Sequence, residues 1–543
     1  MPFNSSLSDQ VDVIVVGSGP SGTIAAARLL ERGAHVLMLD VGDSDERYRA
    51  LIPNRPFERI RREESLQHAY LLGLDFEGVD LDGIGPLAQA TPPRQHVFKR
   101  AVELLRQTGD DFAAVQSLAT GGLGQAWGAG AFPFTPYELG QAGLDPVSIA
   151  PHYEAVAKRI GISGDTNDDL TLWRGALNAL QPAHRLDRNA SAVLARYQRY
   201  RQMLHKRRLR IGRPLLAMLS RSLDERKANP EHGLDYWSDA GDSVFRPATL
   251  LNSLRRCSNF SYRRGVLVTR FTDRANAAVE VEAVDLESCS TVQLLAGRVI
   301  LAAGALGTTR IALRSLEAYD QAVPLVCNEH AYIPSLRLAG VGDGTAPPAH
   351  ALAQLTAMLD PTGDQQHLVQ AQLYSFTGML LTRLLKESPL AYRESLPLFS
   401  TLAPAIVTSV VQHEDRPHPD KYCVLRRGAT PLDDALEIRW QPERDCMREA
   451  RNTRKTLAGL LRRLGCWPLG IIEPGPGSSI HYGGMFAPSD QELPLTVARD
   501  GVLRGTRRVH VVDGAGFAYL PAKGPTLTLM ANAHRIADAI VFR

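Results

Sequence analysis

The first residues that could do chemistry form a glycine-rich turn near the start of the chain. Their G-x-G-x-x-G pattern consists of Gly17, Ser18, Gly19, Pro20, Ser21 and Gly22. Glycines at this spacing let the backbone approach a diphosphate, and the N–H groups of the following helix attract its charge. Asp40 ends the next apolar run, where a carboxylate accepts hydrogen bonds from ribose hydroxyls and disfavours a 2′-phosphate. These residues predict a dinucleotide site rather than a β-α-β unit without a ligand.

Local patterns predict the elements that position this turn. The β-branched run 13–16 is typical of a buried parallel strand, 23–32 of a helix, and 35–39 of a second strand. Farther along, the apolar run 298–302 leads into Ala303 and Gly304 and predicts another strand that turns into a helix. Small residues at that turn allow close approach to the same nucleotide.

A second glycine-rich segment, 121–130, contains five glycines and is therefore unlikely to form a regular helix or strand. A flexible linker is the alternative, but a linker would be rich in serine and would not carry a tryptophan. We interpret the segment as a loop that lies against a ring or a phosphate. Its candidate binding residues are Gly121, Gly122, Gly124, Trp127, Gly128 and Ala129.

Two stretches near the C-terminal end carry further chemistry. In the first, His481 precedes the glycine pair Gly483 and Gly484, which leaves room beside the imidazole. In the second, a strand leads through a loop into a helix that opens at a proline, and the N-terminus of that helix favours negative charge on a bound ring. The candidate binding residues of the second stretch are Asp513, Gly514, Pro525, Thr526 and Leu527.

Together these motifs resemble the glucose–methanol–choline oxidoreductases, which depend on FAD. The matching pieces are GSGPSG with Asp40, RVILAAGALGTTRIAL, the histidine with its glycine pair, and the closing VVDGAGFAYLP and GPTLTLMANAHRIADAI. The resemblance implies that FAD has its diphosphate on the first turn, its adenine near Val268 and its flavin ring near Pro525. Relatives that bind FAD covalently use a histidine in or near the loop. Here the candidate positions are Gln125, Ala126 and Trp127, so we expect FAD without a covalent bond.

The resemblance also implies that His481 is the catalytic base. A neutral imidazole can accept the proton of an alcohol while a hydride passes from the carbinol carbon to flavin N5. The family usually places a second His or Asn where this chain has Gly524. Asn532 and His534 are too far along the helix to replace it. Either His481 does the acid–base work, alone or with Lys523 or a water, or the enzyme is slow.

The expected reaction is oxidation of a CH–OH group to a carbonyl on a small-molecule alcohol. The loop sequence is similar to that of relatives acting on sugars and aminoglycosides, so a polar hydroxylated substrate is favoured. An apolar alcohol is the alternative within the class. A redox-neutral lyase and a non-catalytic FAD-binding protein also stay open. Dioxygen or another acceptor would reoxidise the flavin.

Composition limits other functions. The 543 residues are 44% hydrophobic and 22% charged, with a net charge of +3, which gives no indication of nucleic-acid binding. The N-terminal sequence lacks the plan of a signal peptide, and no uncharged apolar run is long enough to span a bilayer. Six scattered cysteines without a CxxC pattern indicate reduced thiols and no metal cluster. We therefore expect a cytoplasmic protein.

The predicted fold class is α/β. A discontinuous Rossmann-like FAD-binding domain would comprise 1–140, 241–327 and 464–543, with a substrate domain of 141–240 and 328–463 built on an antiparallel sheet with covering helices. We predict paired strands at 422–427 and 435–441 as the sheet beneath the substrate. The apolar region 368–411 is interpreted as buried helices, in preference to an interfacial helix or a partner surface.

Overall fold

A computed structural model describes residues 11–44, 47–48, 51–76, 92–109, 112–175, 177–235, 241–274, 278–343, 350–375 and 388–542. At its centre, five strands form a parallel sheet. In spatial order they are Val509–Val511, Arg298–Leu301, Val13–Val16, Val36–Leu39 and Phe260–Arg263. Val16 pairs with both Leu301 and Leu39, so the carboxyl ends of three strands meet at one edge of this sheet. Both predicted nucleotide turns begin at that edge.

Residues of the first strand alternate between two cores, as the period of two requires. Val13 and Val15 pack with the helices Pro20–Glu31 and Thr526–Ala539, which contact each other on one face of the sheet. Ile14 and Val16 belong to the core of the opposite face. That core includes the helix Ala305–Ser315 and a three-stranded antiparallel sheet of Thr291–Ala296, Val279–Asp285 and Val266–Asp273. Hydrophobic burial on both faces fixes the strand register and hence the edge that carries the turns.

The largest sheet has six antiparallel strands. In spatial order they are Trp467–Pro468, His330–Leu336, Ile406–Gln412, Val369–Ser375, Leu355–Leu359 and Leu209–Gly212. One face is apolar and forms a core with the long helices Arg188–Lys206 and Arg444–Arg463. An antiparallel sheet with covering helices is the type that the sequence predicted, and its place on the substrate side stays a prediction.

The prediction of buried helices for 368–411 was wrong at both ends of that region. Val369–Ser375 and Ile406–Gln412 are neighbouring strands of the six-stranded sheet, and the helix between them is Tyr392–Leu402. Val369–Ser375 alternates apolar and polar residues with the period of two that predicts a strand, but the apolar composition of the whole region favoured buried helices. Residues 376–387 lie outside the described residues.

The predicted strand pair near 422–441 is confirmed as Lys421–Arg426 and Ala435–Trp440. Its place beneath the substrate stays a prediction. The pair belongs to a separate four-stranded sheet with Ala322–Pro324 and Gln107–Thr108. Two shorter pairs complete the strands. They are Ile162–Gly164 with Leu180–Pro182, and Val326–Cys327 with Tyr482–Gly483.

The remaining α-helices lie at the periphery or between the sheets, and short 3₁₀ turns join several of the elements. These helices are Phe57–Glu63, His68–Leu71, His96–Leu104, Pro136–Gln141, Pro146–Ile160 and Pro247–Leu254. The 3₁₀ turns are Pro92–Arg94, Gly122–Gln125, Thr171–Trp173, Leu338–Gly340, Ala403–Ala405 and Gly514–Gly516. Across the described ranges, no helix combines the length and apolar character needed to cross a bilayer. The division into two discontinuous domains stays a prediction.

Candidate functional site

The first glycine-rich turn is shaped by close backbone contacts on one side and open space on the other. A Cβ on Gly17 would lie 2.5 Å from the carbonyl oxygen of Ala302, and a Cβ on Gly22 would collide with the carbonyl of Gly17. Around Gly19 and Gly304, by contrast, no atom of the described residues lies within 4 Å of the Cβ position. The turn is therefore packed where it joins the sheet and open where a diphosphate would lie.

Asp40 is connected to both glycine-rich segments through Ser18. The Ser18 hydroxyl donates to Asp40 Oδ2 and accepts a 2.8 Å hydrogen bond from the N–H of Gly121. The hydroxyl of Tyr262 also donates to Asp40 Oδ2, at 3.3 Å. Burial raises the pKa of Asp40 to about 6, against the lowering effect of these hydrogen bonds. The structure thus brings Ser18, Asp40 and Gly121 together, as a shared nucleotide site requires.

The loop 121–130 lies across the start of the helix Pro20–Glu31. The Cβ position of Gly122 is 3.5 Å from Gly19 Cα, and Gly124 is enclosed by the rings of Pro20 and Pro247. Residues Gly122–Gln125 form a 3₁₀ turn, so this loop contains no longer regular element. Farther along it, the Trp127 indole donates to the carbonyl of Phe245 at 2.8 Å, Gly128 is half-buried, and Ala129 is fully buried.

Two arginines that the sequence analysis did not single out hold this loop from outside. Arg94 and Arg246 both donate to the carbonyl oxygen of Gln125, with Arg94 at 3.0 Å. Both also donate to the carbonyl of Asp235. The side-chain Nε2 of Gln125 is buried with no hydrogen-bond partner in the described part of the chain. A buried donor without an acceptor is costly, and an anionic ligand at this position would supply one.

The second predicted turn lies beside the first. Ala303 N–H donates to the Thr308 hydroxyl at 3.2 Å, and that hydroxyl donates to Asp513 Oδ2 at 2.5 Å. Burial raises the pKa of Asp513 to about 6. Gly514 packs against the backbone of Tyr482, where a Cβ would collide with the Tyr482 carbonyl. This contact joins the Asp513 turn directly to the segment that carries His481.

The remaining predicted binding residues occupy different parts of this region. Val268 is buried in the strand Val266–Asp273, at a bulge in its pairing with the neighbouring strand. Pro525 caps the helix Thr526–Ala539, so Thr526 and the buried Leu527 form its first turn. No side chain caps that N-terminus, which leaves helix N–H groups available to a partly negative ligand.

His481 is oriented by Asn328, a residue that the sequence analysis missed. His481 Nδ1 lies 3.2 Å from Asn328 Oδ1. The Asn328 amide nitrogen donates to the carbonyls of His413 at 2.7 Å and Pro521 at 2.8 Å, so its oxygen faces the imidazole. An acceptor at that position requires the proton of neutral His481 on Nδ1 and leaves Nε2 with a free lone pair. Asn328 is only 3% exposed, which makes the arrangement rigid.

The fold brings these two residues together through a short strand pair. Val326–Cys327 pairs antiparallel with Tyr482–Gly483, so Asn328 and His481 flank the same pair. The two residues are 153 positions apart, and no local pattern joins them. Burial and, second, the charge of a protonated His330 lower the pKa of His481 to about 4. Neutral His481 is therefore the form present at neutral pH.

Gly524 lies beside His481, whereas the side chain of Lys523 is committed elsewhere. The Cβ position of Gly524 is 3.9 Å from His481 Cε1 and 3.7 Å from the carbonyl oxygen of Gly130. Lys523 is 0% exposed and donates to Glu138 at 2.8 Å and to the Pro133 carbonyl at 3.3 Å. Glu138 also closes the capping box of the helix Pro136–Gln141. This geometry argues against the expectation that Lys523 contacts the substrate.

With this geometry established, two curated proteins match the chain over nearly its whole length. Paromamine 6′-oxidase of Streptomyces fradiae is 26% identical over 540 residues, which cover 97% of this chain and 91% of the relative. 6‴-Hydroxyparomomycin C oxidase of Streptomyces lividus is 26% identical over 553 residues, with the same two coverages of 97% and 91%. Both relatives support the resemblance of the chain to the glucose–methanol–choline oxidoreductases. No family model matches it.

Solved structures of two oxidoreductases share the fold of this chain. Pyridoxine 4-oxidase from Mesorbium loti superposes with a TM-score of 0.58 at 15% identity, covering 97% of this chain and 98% of the other. An FAD-dependent oxidoreductase from Chaetomium thermophilum gives a TM-score of 0.57 at 13% identity, with coverages of 97% and 98%. These two similarities confirm a mixed α/β fold along the chain.

Proposed function

We propose that this protein is an FAD-dependent oxidase that converts a CH–OH group of a polar, hydroxylated aminosugar to a carbonyl, with His481 as the general base. The contact between His481 and Asn328 carries the proposal. It supplies an imidazole that is neutral at neutral pH, fixed in one tautomer and presented through Nε2. A base for an alcohol proton needs each of these properties.

The residues that would hold FAD fit such a group. Open space at Gly19 and Gly304 accommodates a diphosphate, and the buried Nε2 of Gln125 lacks an acceptor that a phosphate would provide. Asp40 would accept ribose hydroxyls, and the first turn of the helix Thr526–Ala539 would face the flavin ring. FAD, when bound, supplies the acceptor for the hydride of the carbinol carbon. Because positions 125–127 are Gln, Ala and Trp and none is a histidine, we propose that FAD is bound without a covalent bond.

His481 is the only one of the two proposed catalytic groups that is placed to exchange a proton with substrate. Its Nε2 would take the hydroxyl proton as the C–H bond breaks, and Asn328 would hold the Nδ1–H of the resulting imidazolium. Gly524 offers no second group, and the ammonium of Lys523 is bound to Glu138. We therefore assign Lys523 a structural role and leave one side chain for acid–base work.

A polar substrate is supported by two observations. Both curated relatives are named as oxidases of aminoglycosides, paromamine for one and 6‴-hydroxyparomomycin C for the other. The face of the six-stranded sheet opposite its covering helices presents polar side chains, among them Gln372, Tyr374 and Gln412. An apolar alcohol could not form hydrogen bonds with the Gln372 or Gln412 amides, whereas a hydroxylated substrate could.

Anaerobic titration of the FAD-loaded protein tests the proposal. Paromamine, 6‴-hydroxyparomomycin C, glucose and benzyl alcohol would each be added while the flavin absorbance is recorded. Bleaching by an aminoglycoside, with little bleaching by benzyl alcohol, is expected. Readmitted air, compared with an artificial electron acceptor, would identify what reoxidises the flavin. Preferential bleaching by benzyl alcohol would overturn the substrate class, and no bleaching by any alcohol would favour a lyase or a non-catalytic protein.

A further inference from the structure

The six-stranded sheet has two unlike faces, and one residue of its polar face reaches the candidate active site. On the strand Val369–Ser375, Ala371 and Leu373 belong to the apolar core beneath the covering helices. Gln372 and Tyr374 alternate with them and therefore point to the other face. Across that face, Gln372 lies opposite Val410, which pairs in turn with Tyr332.

The amide of Gln372 has a defined orientation. The hydroxyl of Tyr374 donates to Gln372 Oε1 at 2.8 Å. The amide nitrogen Nε2 consequently turns the other way, and it lies 2.8 Å from the position that a Cβ would take on Gly130. Among the described residues, Nε2 donates to no acceptor. Gln372 therefore presents a fixed, free N–H donor above Gly130.

Gly130 supplies the complementary acceptor. Two hydrogen bonds join this part of the loop to the neighbouring segment. The N–H of Ala131 donates to the Leu215 carbonyl, and the N–H of Ala217 donates to the Ala129 carbonyl. Gly130 lies between these bonds, and no hydrogen bond within the described ranges ends on its carbonyl oxygen. A side chain at position 130 would collide with the Gln372 amide, so glycine is needed to keep donor and acceptor adjacent.

This pair borders the same space as the proposed base. One point, the Cβ position of Gly524, lies 3.7 Å from the Gly130 carbonyl oxygen and 3.9 Å from His481 Cε1. Glycine at 524 therefore leaves a gap between the imidazole and the Gly130 carbonyl, and the Gln372 amide lies next to Gly130. A substrate group attached near the reacting carbinol would fit in this gap.

We propose that the Gln372 amide and the Gly130 carbonyl form a subsite for a second hydroxyl of the substrate, next to the carbinol that His481 deprotonates. This inference rests on the proposed function. A hydroxyl both donates and accepts, so it satisfies the carbonyl and the N–H together. An ammonium group could use only the carbonyl and would face the amide N–H without a lone pair to offer. The subsite thus selects a hydroxyl over an amine at this position.

The Gln372→Leu variant tests the subsite, with Gln370→Leu as the matched control. Gln370 is buried on the same face of the same strand, two residues earlier. Substrate affinity would be measured from the perturbation of the flavin spectrum and from the KM for paromamine. Losing one hydrogen bond and leaving a polar partner unsatisfied corresponds to about a tenfold loss of affinity. We expect that loss for Gln372→Leu and less than about a twofold change for Gln370→Leu.

Comparison with 4′-deoxyparomamine identifies the group that is bound. The unaltered protein should bind it more weakly than paromamine by about the same tenfold factor, because the hydroxyl beside the reacting end is missing. In Gln372→Leu this preference should disappear. The subsite would be overturned if Gln372→Leu kept the preference of the unaltered protein for paromamine over 4′-deoxyparomamine. It would also be overturned if the Gln372 and Gln370 variants lost equal affinity for paromamine. Either result would leave the oxidase proposal intact. If no alcohol reduces the flavin of the unaltered protein, both proposals fail.

Discussion

At the scale of single residues, its orientation distinguishes His481, as the proposed base, from the other histidines of the chain. Fifteen histidines occur in the chain, and several are buried with lowered pKa values. His481 differs because Asn328, held by two carbonyls, accepts its Nδ1–H. The opposite nitrogen is consequently free for a substrate proton.

Substitution of Asn328 should change the pH dependence of flavin reduction. With the pKa of His481 near 4, the reduction rate of the unaltered protein should be constant above about pH 6. A carboxylate in Asn328→Asp stabilises the imidazolium, so the pKa of His481 rises and the rate falls at the acidic end of the profile. Stopped-flow reduction by paromamine from pH 5 to 9 measures this shift.

Asn189→Asp is the matched control, since Asn189 is also a buried amide that donates to a carbonyl, that of Pro404. The acidic end of the pH–rate profile of Asn189→Asp should not shift. A purely structural role of Asn328 would slow reduction equally at every pH, and that outcome would contradict the orientation argument.

Asp40 should determine how tightly FAD is held. The Asp40→Ala variant removes the acceptor for ribose hydroxyls and also the anchor of Ser18. A hydrogen bond to a charged group contributes about 1.5–3 kcal/mol, so retention should weaken by at least about tenfold. The flavin-to-protein ratio after gel filtration measures the retention of FAD. Asp12→Ala, which also removes an aspartate side chain, is the control. Full flavin content in Asp40→Ala would show that the ribose lies elsewhere.

At the scale of elements, the buried pair Lys523–Glu138 joins two segments that flank the site. Glu138 caps the helix Pro136–Gln141, and Lys523 precedes the helix Thr526–Ala539. Both side chains are almost completely buried. Each charge is therefore compensated by the charge of its partner rather than by solvent.

Lys523→Met should destabilise the protein instead of impairing its chemistry directly. Removal of one member leaves Glu138 charged and buried, at a cost of about 3–5 kcal/mol, which thermal melting would register. Adding Glu138→Leu should recover part of the loss, because two apolar side chains leave no unpaired charge. A Lys523→Met protein with the original melting temperature but no flavin reduction would restore Lys523 as a catalytic residue.

The elements around the nucleotide could be predicted from the sequence, because each depends on local pattern. The strand 13–16, the helix after Gly19 and the strand before Asp40 follow from β-branched runs and glycine spacing. Asn328, Gln372 and Glu138 could not be predicted, since each acts through a partner far along the chain. The strands within 368–411 were missed because the apolar composition of the region outweighed the alternation of apolar and polar residues in Val369–Ser375.

At the scale of the whole molecule, buried titratable groups should make stability depend on pH. Six histidines have their pKa lowered by burial to about 3 or 4, namely His330, His350, His413, His481, His510 and His534. Between about pH 4 and 6.5 the unfolded chain binds protons there that the folded chain does not. The free energy of unfolding therefore rises with pH through this window.

Acids whose pKa is raised by burial act in the opposite direction. The pKa values of Asp40, Asp415 and Asp513 are raised to about 6, so their contribution falls as pH rises from about 4 to 6. Because the histidines are more numerous, we expect the melting temperature to be lower at pH 5 than at pH 7, by at least roughly 5 °C. Scanning calorimetry of the FAD-loaded protein at both values measures this. An equal or higher melting temperature at pH 5 would contradict the expected balance.

The central claim is that His481 accepts the proton of the substrate alcohol, and its most direct test is the anaerobic reduction rate of the His481→Ala variant with paromamine. The variant should retain FAD with an unchanged absorbance spectrum before substrate is added, because His481 is not among the proposed nucleotide contacts. Its flavin should be reduced at least about 10²-fold more slowly than in the unaltered protein, the usual loss for a general base. A rate close to that of the unaltered protein, with FAD fully bound, would contradict the claim and move the base to another residue.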